Sequence, residues 1–186
     1  MDTGIQYYPQ AMLALRDFRS MILESANTVL ESRLAALGRA GGNPLKADAI
    51  ADHLNPDDLG RSDGRWAWIA KKIDLPAIGT GYFGLIWGGP VQTDPTDCRV
   101  VAMIQPRRDR REEIVQCADA LSQPVERWSG SELSLTARLN TECSVFDSAG
   151  GQSVFERELA DLIERWVQIL SRLESRSSGG SLVGIR

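Results

Sequence analysis

The chain predicts an α+β fold: an antiparallel three- to four-stranded sheet flanked by long N-terminal and C-terminal helices, in the order α-α-β-β-β-α-β-α. Three observations lead there. Apolar side chains recur at helical spacing from Pro9 to Leu37, and again from Phe155 to Leu173. Between these stretches lie short apolar runs separated by glycine, the punctuation of a strand meander.

In the first helix, Met12, Leu15, Phe18, Ile22, Val29 and Leu37 form the stripe, widened by Met21, Leu30 and Leu34, and Gly38, Gly41 and Gly42 stop it. Asn43-Pro44 reads as an N-cap followed by proline at the first helical position, which predicts a short helix from Pro44 to Leu54. Three strands follow: Arg65–Ile73, Tyr82–Trp87 and Arg99–Gln105, with Gly79-Thr80-Gly81 as a turn and Gly88-Gly89-Pro90 as a break. In the second of them Phe83, Leu85 and Trp87 share one face, and Tyr82 and Ile86 the other. Connections this short favour antiparallel neighbours, covered by the two long helices.

A helix from Asp109 to Ser122 places Ile114, Val115, Ala118 and Leu121 on one side, and Pro124 ends it. Leu133, Leu135, Ala137 and Leu139 then alternate with Ser134, Thr136 and Arg138, the pattern of a half-exposed strand. The last helix opens on a capping box, Ser153-Val154-Phe155-Glu156, in which Ser153 and Glu156 satisfy each other's free backbone donors. Its stripe of Phe155, Leu159, Leu162, Trp166 and Leu173 is the expected core. Residues 1–174 read as a single domain, and the Ser/Gly-rich residues 175–186 as a flexible C-terminal tail.

The net charge of −4 and pI near 5.1 weigh against a binder of nucleic acid or anionic membrane over its whole surface, while leaving room for a local basic patch. Cys98, Cys117 and Cys143 are odd in number and widely spaced, so they suit reduced thiols rather than a disulfide framework. With no leader pattern and no apolar run of spanning length, the expected location is cytoplasmic, with no membrane partner.

Catalytic motifs are missing. His53 is the sole histidine and belongs to no nucleophile–base signature. It and the scattered cysteines give no zinc spacing, Asp57-Asp58-Leu59-Gly60 lacks the ligands of a calcium loop, and no glycine-rich phosphate loop is present. No cofactor or metal is therefore expected. Glu112 and Glu113, like Asp57 and Asp58, are adjacent and would diverge on a helix rather than share a substrate. Ala47-Asp48-Ala49-Ile50-Ala51-Asp52-His53-Leu54 hints at a helix-turn-helix, but acidic residues follow it in place of a basic recognition helix.

The element order of the middle of the chain resembles the αβββαβ core of the PD-(D/E)XK nucleases, a family whose second strand carries a metal-binding Asp and whose third carries Glu-x-Lys. Here those strands read Tyr-Phe-Gly-Leu-Ile-Trp and Arg-Val-Val-Ala-Met-Ile-Gln, without an acid, and no Glu-x-Lys precedes Lys46, Lys71 or Lys72. The resemblance is one of topology, and it implies a copy lacking the usual metal site.

Charge is unevenly distributed. Arg99, Arg107, Arg108, Arg110 and Arg111 gather around the third strand and the following helix start, where the helix dipole disfavours cations. They are the candidate binding residues, for phosphate or for an acidic protein face. Asp48, Asp52, Asp57, Asp58 and Asp63 make the second segment acidic, and Glu156, Glu158, Asp161 and Glu164 the last helix. Trp66, Trp68, Lys71 and Lys72 interleave rings and cations as a base-stacking strand does, or as a core strand with two tryptophans does.

These features rank a non-catalytic protein-binding domain first: a small inhibitor or adaptor, such as a phage- or mobile-element-encoded anti-defence (anti-CRISPR-like) protein acting on a host nucleoprotein complex. A divergent carboxylate- or metal-dependent enzyme ranks second, and a nucleic-acid binder using the Arg cluster third.

Overall fold

The computed structural model describes residues 3–54, 66–88, 98–127, 131–139 and 153–179. Among these residues three helices, α1 (Thr3–Ala40), α2 (Arg111–Ala120) and α3 (Val154–Gly179), accompany six strands. The strands are β1 (Ile50–Leu54), β2 (Trp66–Leu75), β3 (Gly79–Gly88), β4 (Cys98–Pro106), β5 (Glu126–Arg127) and β6 (Leu133–Arg138). They form one antiparallel sheet in the order β1-β2-β3-β4-β6-β5. The α+β class and the central β2-β3-β4 meander match the sequence expectation. The sheet is larger than the expected three to four strands, because β1 and β5 extend its two edges.

The segment expected as a helix from Pro44 to Leu54 is instead a 3-10 turn at Ala47–Ala49 followed by β1. Asn43-Pro44 serves the exit from α1 rather than a new helix start. The Gly42 N–H donates to Arg39 O at 3.1 Å and the Asn43 N–H to Gly38 O at 2.9 Å, with Gly42 at φ 77°. This is a Schellman cap. The chain folds back so closely that a Cβ on Gly38 would sit 2.7 Å from the Asn43 carbonyl oxygen. The residues after it pair with β2, Ile50 opposite Ile73 and Leu54 opposite Ile69.

The β2–β3 turn is Pro76–Ile78, closed by the Ile78 N–H on Leu75 O at 2.9 Å, so Gly79-Thr80-Gly81 lies within β3 rather than forming the turn. Gly79 has φ 148°, and a Cβ there would meet Gln105 O of β4 at 2.1 Å.

All three described helices lie on one side of the sheet. Ile69, Ile73, Phe83, Leu85, Val100, Ala102, Ile104, Leu133 and Leu135 alternate along their strands to face them, and all are buried. α1 packs over β2 and β3, α3 over β4 and β6 and against α1, and α2 against α3. Phe155, Leu159, Leu162, Trp166 and Leu173 are buried, as the stripe predicts. Trp166 adds a specific contact: its Nε1–H donates to Ala102 O of β4 at 2.8 Å, which joins helix to sheet. The capping box forms, with Ser153 N to Glu156 Oε2 at 3.0 Å and Glu156 N to Ser153 Oγ at 3.2 Å.

α1 is 38 residues long, about 57 Å at the helical rise. Its buried positions with described side chains run from Ile22 to Ala40, whereas Gln10, Leu13, Ala14, Arg16 and Asp17 are exposed, and the side chains of Met12 and Leu15 lie outside the described residues. α3 continues through Ser175–Gly179, residues that composition assigned to the tail.

Candidate functional site

With the helices on one side, the opposite face of the sheet is defined by the strand registers. It consists of cross-strand rows. One row runs Trp68, Ile86, Arg99, Arg138. The next is His53, Ala70, Gly84, Val101, Thr136. A third is Ala51, Lys72, Tyr82, Met103, Ser134, Glu126. Asp74, Thr80 and Gln105 follow.

The middle row carries small side chains between larger ones. Gly84 is required there: a Cβ would approach Ile69 O to 2.1 Å and Ala70 Cα to 2.7 Å. Rings gather at the β1 end of this row. His53 stacks against Trp68 with centroids 6.0 Å apart and planes 13° apart, and it meets Tyr82 at 4.7 Å and 50°. His53, Trp68 and Tyr82 are half-buried, while Ala70, Ile86 and Val101 beside them are buried. Burial of its ring, and secondarily the Lys72 ammonium, hold His53 below the usual imidazole range.

Charge is graded across this face. Arg99 and Arg138 are directly opposed on β4 and β6. Towards the other end Lys72 lies 3.7 Å from Asp74, which also accepts from Thr80 Oγ1 at 3.1 Å. Glu126 accepts from Thr136 Oγ1 at 2.9 Å. Ser134 is fully buried, and its hydroxyl has no hydrogen-bond partner among the described residues.

The five arginines singled out by sequence do not form one cluster. Arg99 and Arg107 stand near opposite ends of β4, about 26 Å apart along an extended strand. Arg107, Arg108, Arg110 and Arg111 do come together at the start of α2. There the Arg107 N–H binds Ile78 O at 2.7 Å and its guanidinium donates to Pro76 O at 3.4 Å, tying the segment to the β2–β3 turn. Acids are interleaved with them: Arg110 pairs with Glu113 at 2.8 Å, and Arg107 lies 3.8 Å from Asp109. Arg127 lies 3.7 Å from Glu112. The Nε of Arg111 is buried without a hydrogen-bond partner among the described residues, and Arg108 is exposed.

The β2 residues divide by face. Trp68 and Lys72 point to the helix-free side, whereas Lys71 points to the helix side and pairs with Asp52. The side chain of Trp66, the acids Asp57, Asp58 and Asp63, and Cys143 lie outside the described residues. Cys117 is buried, and Cys98 is half-buried. Among the described residues no three His, Cys, Asp or Glu side chains converge as a metal-ligand set, and no helix is long and apolar enough to cross a membrane.

Sequence reasoning passed over Tyr82, Met103, Thr136 and Arg138 as site residues. The signal was present in the alternation of β3 and β6, which assigns Tyr82, Thr136 and Arg138 to the polar face. Compared with known proteins, the chain matches no family model, no curated protein and no solved structure.

Proposed function

We propose that this protein is a non-catalytic binding module, an adaptor or inhibitor, that engages a protein partner through the helix-free face of its sheet. The observation behind this reading is the make-up of that face: Trp68, Tyr82, Met103, Arg99 and Arg138 on a rigid antiparallel scaffold. Tryptophan, tyrosine, methionine and arginine are the residues enriched at interface cores, and their truncation is the most costly there. The opposed Arg99–Arg138 pair suits an acidic patch on the partner, in a chain whose own charge is −4. Strand-borne side chains are already positioned, so little ordering entropy is lost on binding.

The test places a photo-crosslinking residue at Thr136 or Met103 on this face, and at Gln116 or Gln168 on the exposed helix side as control. The adduct formed in the native host is identified by mass spectrometry, and the complex is then rebuilt from purified components. Expected are adducts from the sheet-face positions alone, and a reconstituted affinity at least about tenfold weaker for Tyr82→Ser with Arg138→Ser. Adducts from the helix side alone, or an affinity indifferent to the double substitution, overturn the reading.

A specific observation favours a second reading. Three rings beside Lys72 are also a platform for unpaired bases. Titration with single-stranded oligonucleotides decides it: base stacking predicts an affinity that falls steeply with salt and with Tyr82→Ser.

A further inference from the structure

Beyond the helix-free face, the structure presents a second surface at the sheet's β1 edge. β1 is terminal in the strand order, so one side of its backbone pairs with β2 and, among the described residues, nothing pairs with the other. Beside this edge, on the helix side, a crevice of about 460 Å³ opens between α1 and the first two strands. Ser20, Glu24 and Asn27 of α1, Asp52 of β1 and Lys71 of β2 line it.

α1 therefore does not reach over the edge strand as it does over β2. Lys71 points into the crevice with little of its side chain exposed, and its ammonium is matched by Asp52. Glu24 is left as a further carboxylate on the α1 wall. Asp17 and Glu31, seven residues to either side of it, share its helix face and are exposed. Asp17 pairs with Arg16 at 3.0 Å, and Glu31 accepts from Asn27 Nδ2 at 2.8 Å. With Arg16 and Lys71 set against Asp17, Glu24, Glu31 and Asp52, the edge and its flanking helix are acidic.

We propose that the β1 edge and the adjoining crevice bind an extended basic peptide segment of another protein, which adds as a seventh strand and directs alternate Arg or Lys side chains under α1 toward Glu24 and Asp52. Backbone pairing with an open edge supplies affinity without regard to sequence, and pockets for every second side chain supply the selection. Side chains on one face of a strand repeat at about 6.8 Å, so one enters the crevice between Asp52 and Glu24 while those before and after it lie along the α1 side of the edge. Inward-pointing charges at an edge strand can serve only to keep other strands away. That alternative predicts no binding.

The probe is a fluorescein-labelled nonapeptide of alternating Thr and Arg. Two controls accompany it: the same peptide with Glu for Arg, and one with every second backbone amide N-methylated to block strand pairing. Anisotropy titration on the full chain is expected to show saturable binding of the Arg peptide only, with slowed amide exchange in Ile50–Leu54. Glu24→Arg, at an exposed helical position, should weaken it by about tenfold. Tyr82→Ser should leave it within about twofold, since that ring is on the other face; this separates failure here from failure of the sheet-face reading. No saturable binding, equal binding of the N-methylated peptide, exchange protection away from β1, or loss of binding in Tyr82→Ser would each overturn the proposal.

Discussion

His53 shows how one side chain couples the candidate surface to solution conditions. Its ring stacks on Trp68, meets Tyr82, and lies near enough to Lys72 for the ammonium to oppose a second positive charge. Both burial and Lys72 disfavour the imidazolium, burial more strongly, so the folded chain binds a proton at His53 less readily than the unfolded chain. The unfolded state thus carries more protons between the depressed folded value and the ordinary one, and stability falls as pH drops through that window. Above it, both states hold neutral imidazole and the contribution is complete; below it, both are protonated and the loss levels off. Denaturation midpoints from pH 8 to pH 5 should decline more steeply for the native chain than for His53→Gln. Parallel curves would show that His53 makes no such contribution. Sequence supplied only the count of one histidine here. The expectation that it sat on a helix hid its neighbours, because only pairing with β2 brings His53 across from Ala70 and alongside Trp68 and Tyr82.

At the scale of elements, legibility followed how local the determining interactions are. The start of α3 is fixed by residues three apart, so the capping box could be read directly and is formed as read. Ser153→Ala should cost about 1 kcal/mol, with faster amide exchange in the first turn of α3, because the N–H of Glu156 loses its acceptor in a partly buried setting. An unchanged midpoint would mean that solvent or backbone replaces that acceptor. β1 is the opposite case. Its alanine-rich approach and Asn43-Pro44 satisfy local helix rules, and alanine has the highest helix propensity. What decides its conformation lies outside the segment: the backbone of β2 further along the chain, and the chain reversal by which α1 ends. β5, with only two residues, is too short to show a period at all. The interleaved Trp68, Lys71 and Lys72 were conspicuous in sequence, but the face each takes follows from the register.

For the whole molecule, the apolar core and the face proposed for recognition lie on opposite sides of one sheet. The helix side holds the largest fully buried side chains, Trp166, Phe83 and Phe155, and most of the apolar burial that drives folding. The other side holds half-buried rings and arginines on strands whose hydrogen bonds do not depend on them. Substitutions should separate accordingly. Trp166→Ala removes the largest core side chain together with its bond to Ala102 O, and should destabilise the protein by about 3–5 kcal/mol. Tyr82→Ser with Arg138→Ser removes a ring contact and an exposed strand-end charge, and should cost about 1 kcal/mol. Urea denaturation of the native chain and both variants checks this, with equal m-values expected if all unfold from the same compact state. A sheet-face loss rivalling that of Trp166→Ala would mean that the face is a second core rather than a surface held ready for a partner. A small loss leaves the double variant folded, which the binding experiments on this face require.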